Sequence, residues 1–165
     1  MKKLLIIIAI ASISLFASAQ KKIVFPFKGG REHMMSFFKD SLTVSQGIID
    51  SRAYGQVIIK FSADPLGRVS KMMVYYADDA ILVQPAVDAL RRSQKHWTIP
   101  TGEATTDYLI TFSFNFIPPA APSAELENAI YNYNINRKPI TFENESLLQD
   151  GILLPTVAVN YDIPQ

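Results

Sequence analysis

The 165-residue chain contains no cysteine, which excludes disulfides, thiolate metal ligands and a lipid anchor on a mature N-terminal cysteine. Histidine is scarce as well. His33 and His96 stand 63 positions apart, and neither has the spacing to carboxylates that would complete a zinc site. No charge of one sign dominates: 16 Lys and Arg face 15 Asp and Glu, so the chain has no basic stripe to attract nucleic acid or anionic lipid. A Gly-x-Ser-x-Gly elbow and a Gly-x-x-x-x-Gly-Lys phosphate loop are both missing, and Gly29-Gly30 reads as a turn before a helix. What is plentiful is apolar material, 48% hydrophobic with 11% aromatic, the composition of a folded domain and not of a disordered tail.

The N-terminus has export character. Lys2 and Lys3 precede an apolar run from Leu4 to Phe16, closed by Ala17-Ser18-Ala19, the small-x-small pattern of a signal peptidase site. The run holds about 13 residues, short of the ~20 that span a bilayer, so cleavage after Ala19 is preferred to an uncleaved inner-membrane anchor. Cleavage removes Lys2 and Lys3 and leaves 14 basic against 15 acidic residues, a formal charge of −1. The expected division is therefore a signal peptide at 1–19, a domain at 20–116, and a proline-rich break with a C-terminal tail at 117–165.

Within the domain, Val57, Ile59 and Phe61 alternate along a first strand. Asp64-Pro65-Leu66-Gly67 supplies a reversal, with Pro65 presetting φ and Gly67 tolerating the left-handed region. A second strand follows from Arg68 to Ala77, with Met72, Val74 and Tyr76 expected on one face. Asp78 and Asp79 suit helix caps better than a catalytic carboxylate pair, because neighbours at i,i+1 point apart. Leu82, Ala86, Ala89, Leu90 and Ser93 then recur at helical spacing, with Pro85 admissible only in the first turn. Trp97 reads as a buried anchor at the rim of the loop, and Met34, Met35, Met72 and Met73 as core filling. The clearest strand is the last, where Tyr108, Ile110, Phe112, Phe114 and Phe116 alternate with Leu109, Thr111, Ser113 and Asn115.

These residues resemble the C-terminal domain of TonB, and more closely the periplasmic TonB-like domains of Bacteroidetes. The likeness rests on Gly55-x-Val57 with Phe61, on Gly67-Arg68-Val69-Ser70, on Leu82…Ala86…Ala89-Leu90, and on Trp97 followed by proline. Upstream, Phe27-x-Gly29-Gly30 and the amphipathic Met34-Met35-Ser36-Phe37-Phe38 extend it over about residues 26 to 116. The chain departs from the family at Trp97-Thr98-Ile99-Pro100, one residue longer than the usual spacing, and at the stiffer turn with Pro65. The resemblance implies an α+β fold with a small antiparallel three-stranded sheet (ββαβ) packed on two helices, followed by an extended C-terminal tail. It also implies a protein-binding module without catalytic site, cofactor or metal, contacting a partner such as an outer-membrane transporter by β-strand augmentation. The edge implied for that contact is the last strand, through Tyr108, Leu109, Ile110, Thr111, Phe112, Ser113 and Phe114. Only about ten residues separate Gln20 from Gly30, at most ~35 Å when extended. The chain is thus not itself the anchored energy transducer, and its expected address is the periplasm, with an inner-membrane anchor or secretion as the alternatives.

Beyond Phe116, Ile117-Pro118-Pro119 opens a proline-rich break. Ser123 can cap a short helix over Ala124–Tyr131, Tyr131–Asn136 alternates polar with aromatic, and 151–161 is apolar with strand formers. Pro155 confines that last stretch to a sheet edge or an extended surface segment. Two outcomes follow for the edge. Either it stays open and recruits a partner strand, or residues 151–161 fold back onto it, as a competitor that a partner displaces or as a structural lid. With the lid, the chain is a structural cell-envelope assembly component that homodimerises through strands. Asn144-Glu145-Ser146 fits a glycosylation acceptor but carries no weight, because the resemblance is to bacterial proteins.

Overall fold

The structure is a computed structural model that describes residues 25–119, 123–142 and 151–163. The signal-peptide expectation at 1–19 and the Asn144–Ser146 triplet lie outside the described residues. Among those described, no helix is long and apolar enough to cross a membrane.

Two helices come first, α1 (Gly30–Ser41) and α2 (Gln46–Ser51), then β1 (Gly55–Ala63) and β2 (Val69–Ala77). A 3-10 turn (Ala80–Leu82) leads into α3 (Val83–Arg92), followed by β3 (Thr106–Ile117) and α4 (Ala124–Asn136). Three short strands close the chain, β4 (Ile140–Thr141), β5 (Ile152–Leu153) and β6 (Val157–Asp162). The sheet runs β4-β2-β1-β3-β5, with β6 further along β3.

The fold is α+β, but the expectation of three antiparallel strands on two helices needs correcting: among the described residues the sheet has six strands, is mixed, and goes with four helices. β1 pairs antiparallel with β2 and with β3, while β5 and β6 run parallel to β3. The three extra strands and α4 come from the segment expected to be an extended tail, whereas α2 (Gln46–Ser51) lies within the domain itself. Ser123 does cap α4, its hydroxyl accepting the N–H of Leu126 at 3.2 Å, yet the helix continues through Tyr131 to Asn136. Asn134 and Asn136 donate to the carbonyls of Ile130 and Asn132 one turn back, and Tyr133 is buried, so tertiary packing overrides the weak helix preference of asparagine.

The hairpin is built as its sequence suggests at the turn and differently in its second strand. Gly67, at φ 75°, donates to the Asp64 carbonyl at 2.8 Å, and a β-carbon there would lie 2.9 Å from the backbone of Lys95 and Trp97. Asp64 Oδ1 accepts from the N–H of Leu66 and of Arg68. In β2, Ile58 lies opposite Tyr76 but Ile59 opposite Val74, so Tyr75 is a bulge residue. Met72, Val74 and Tyr76 therefore do not share one face: Met72 and Val74 pack on the core, and the buried Ala77 replaces Tyr76 there, opposite Val57.

One face of the sheet carries the core. Met34 and Phe38 of α1, and Leu82, Ala86, Ala89 and Leu90 around α3, join Val57, Ile59, Phe61, Ile110, Phe112 and Phe114 in one buried cluster. Pro85 sits in the first turn of α3, and Asp79 caps the preceding 3-10 turn by accepting from Ile81. Asp78 is no cap; it accepts from the Gln56 N–H and the Tyr76 hydroxyl, each at 2.7 Å. Trp97 goes deeper than a loop rim. It is 1% exposed, contacts Phe61 at 4.7 Å and Tyr108 at 5.6 Å between ring centres, and donates its indole N–H to Ser93 Oγ at 2.8 Å.

Candidate functional site

β3 owes its straight run to strict alternation. Tyr108, Ile110, Phe112 and Phe114 are fully buried on the core face, Leu109 is buried on the opposite face, and Thr111 and Ser113 are half-buried there. Tyr108 also donates its hydroxyl to the Thr98 carbonyl at 3.0 Å, and burial raises its pKa above the usual tyrosine value. All seven residues implied as a docking edge therefore lie on one strand. On one side, β1 pairs them without interruption from Gly55↔Phe114 to Ala63↔Thr106.

The other side is the edge in question, and the chain's own C-terminal segment lies along it. β5 pairs Ile152 and Leu153 with Tyr108 and Leu109, and β6 pairs Val157 to Asp162 with Phe112 to Ile117. Between them Leu154 donates to the Leu109 carbonyl at 2.8 Å. Pro155 falls at this break, consistent with a residue that has no N–H to give a ladder. Of the seven edge residues, Ile110 and Thr111 are those left without a strand partner on this side among the described residues.

The covering segment is rooted in the core. Leu154, Val157, Val159 and Tyr161 are at most 9% exposed, whereas Ala158, Asn160 and Asp162 face solvent. Tyr161 donates its hydroxyl to the Ala53 carbonyl at 2.6 Å, and Tyr133 of α4 donates to the next carbonyl, that of Tyr54, at 2.9 Å. Two buried phenols from the C-terminal segment thus grip consecutive peptide units in front of β1. Burial disfavours phenolate, pushing Tyr161 up to about 12 and raising Tyr133 as well. The sequence shows the alternation of Val157, Val159 and Tyr161; it does not show that Ala53 and Tyr54 are their anchor, because each hydroxyl finds its acceptor 79 to 108 positions away.

At the start of β3, Asp107 accepts from Ser62 at 2.5 Å and pairs with Lys60 at 3.3 Å. The Ser62 hydroxyl, with help from the Lys60 ammonium, holds its carboxyl below the usual value. This pair ties β1 to β3. His33 and His96 are brought together across 63 positions, with ring centres 6.3 Å apart beside Phe27 and Phe37. No group of three or more histidine or carboxylate side chains able to hold a metal occurs among the described residues. Of the four methionines expected as core filling, Met34 is buried and Met35 and Met72 pack on the core, while Met73 is half-buried.

No protein-family model, no curated protein and no solved structure matches the chain.

Proposed function

We propose that the chain is an exported protein-docking module of the TonB C-terminal type, acting by strand addition along β3 and carrying no catalytic centre. Its partner offers an extended peptide, as an outer-membrane transporter does, and its working place is the periplasm. The supporting observation is that the outer edge of β3 already carries an added strand: β5 and β6 lie there in parallel register, broken at Pro155. Such an edge accepts an extended segment through main-chain bonds, and the segment present acts as a cis occupant that a partner strand replaces.

The test keeps the fold intact. Ala158→Pro, on the solvent side of β6, removes one N–H and weakens the occupant without touching the core. Peptides from candidate transporters should then bind more tightly than to the parent, with amide shifts confined to Tyr108–Ile117. Unchanged binding, or shifts elsewhere, would exclude β3 as the docking edge.

A second reading is favoured by the burial of Leu154, Val157, Val159 and Tyr161. In it the segment is a permanent seal and the chain is a structural component of the cell envelope. Amide exchange separates the two: release of β6 below the cost of global unfolding supports exchange, and release only with global unfolding supports the seal.

A further inference from the structure

The C-terminal segment leaves a space where it crosses the front of the domain. α4 and the residues after it stand beside the end of α2 and the 3-10 turn, framing a cavity of about 590 Å³ that is open to solvent and lined mostly by exposed residues. That volume lies within the ~300–1,000 Å³ range of small-ligand sites. The buried Tyr133 and Asp79 line it, and its walls are pinned. Tyr133 is bonded to Tyr54, Ala80 donates to the Lys138 carbonyl at 2.9 Å, and Arg137 pairs with Asp78 at 3.6 Å.

The charges around this space are balanced by sign and divided by element. Asp50 and Asp79 come from α2 and the 3-10 turn; Arg137 and Lys138 follow α4. Much of their bonding capacity is unspent. Asp79 accepts through Oδ1 from Ile81 and Asp50 through Oδ1 from Gln46, which leaves the second oxygen of each carboxylate. Among the described residues, the Lys138 ammonium and the Asn132 side-chain amide have no partner. A ligand of one sign gains from one pair of charges and is repelled by the other. A ligand with both signs gains from both. Ile81 and Ala129 supply apolar surface between the charged groups.

We propose that this cavity binds a small zwitterion, a free α-amino acid or a dipeptide. Its ammonium meets Asp50 and Asp79, its carboxylate meets Lys138 and Arg137, and Asn132 hydrogen-bonds between them. The proposal does not depend on what occupies the β3 edge.

The experiment is a titration of the full chain, followed by amide shifts, with L-leucine and L-alanyl-L-leucine as probes. N-acetyl-L-leucine and L-leucinamide each lack one charge and serve as the comparison. Saturable shifts at Asp79, Asn132 and Lys138 are expected with the zwitterions, and at least about tenfold weaker binding of either capped analogue, the loss that follows from one charged hydrogen bond. Whichever zwitterion binds more tightly identifies the class. Lys138→Ala should weaken both zwitterions by about tenfold without weakening leucinamide, which is repelled by that ammonium, and Asp50→Asn should weaken leucinamide too. Both side chains are exposed, so neither change threatens the fold. Absence of saturable shifts up to about 10 mM, beyond the weak end of the usual affinity scale, would overturn the proposal. Equal binding of the capped analogues would do so as well, since it would leave only apolar contact.

Discussion

The two borders of the three central strands are closed in different ways. Along β3, β5 and β6 together pair eight residues, and four side chains of the covering segment go into the core. Along β2, among the described residues, β4 pairs only Tyr76 and Ala77, with one further bond from Phe142 to the Tyr75 carbonyl. The remainder of that border is made irregular instead: a bulge at Tyr75, a second register shift opposite Lys60–Ser62, and Lys71 held at φ 48°. Bulges and lysine are standard means of discouraging edge-to-edge pairing. A flat border is thus covered by burial and a twisted one is protected by deformation. Only the first gives up much stability when its cover is removed.

Deleting residues 151–165 tests that difference most severely. Loss of four buried side chains, each contributing about 1.5–3 kcal/mol, removes about 6–12 kcal/mol. That is comparable with the whole stability of a domain, about 5–15 kcal/mol. Denaturant melts should show no cooperative transition, and a truncated chain as stable as the parent would refute the account of β3.

Tyr161→Phe is the next step down. It leaves the buried Ala53 carbonyl without its donor, at a cost of about 1–3 kcal/mol. It also has a pH signature. Between the ordinary phenol value of 10 and about 12, the unfolded chain releases the Tyr161 proton while the folded chain keeps it. Stability therefore falls as pH rises through this window and is unaffected below it. The alkaline fall should be shallower in Tyr161→Phe and shallower again with Tyr133→Phe; an unchanged slope would place the titration elsewhere.

At the β2 border, Thr141→Pro disturbs only the two-residue strand β4 and should cost about 1 kcal/mol or less by chemical denaturation. A loss as large as that of the truncation would erase the contrast between the borders. Smallest of all in stability is Lys71→Gly, which relieves a left-handed residue and should be neutral or stabilising by up to about 1 kcal/mol. It also removes the border's charge, so sedimentation should show more self-association; none would mean that the bulges suffice.

How much of this could be read in the residues depended on the range of the interaction. Tyr108–Phe116 was legible because every second residue enters one core, a property of the strand alone. The same holds for the Asp64–Gly67 turn and for Ser123 as a cap, each settled within four residues. The face change in β2 was not legible, since Tyr75 is extra only relative to Ile58 and Ile59 on β1. Nor was the second half of α4, where Asn132, Asn134 and Asn136 disfavour a helix that Tyr133 nevertheless anchors. In the docking edge the residues were legible and the occupancy was not. Val157, Val159 and Tyr161 announce a strand, but nothing local states that it lies parallel to β3.

Closure of both borders from one segment also sets the order in which the domain can be completed. The chain leaves β3 at Ile117, covers β2 near Ile140, and reaches the opposite border only from Ile152 onward. A ribosome adding about 5–20 residues per second delivers the 46 positions from 118 to 163 over about 2–9 seconds. Throughout that interval the nascent hairpin and its third strand exist with the β3 flank bare, a window in which a chaperone or a neighbouring nascent chain competes for it.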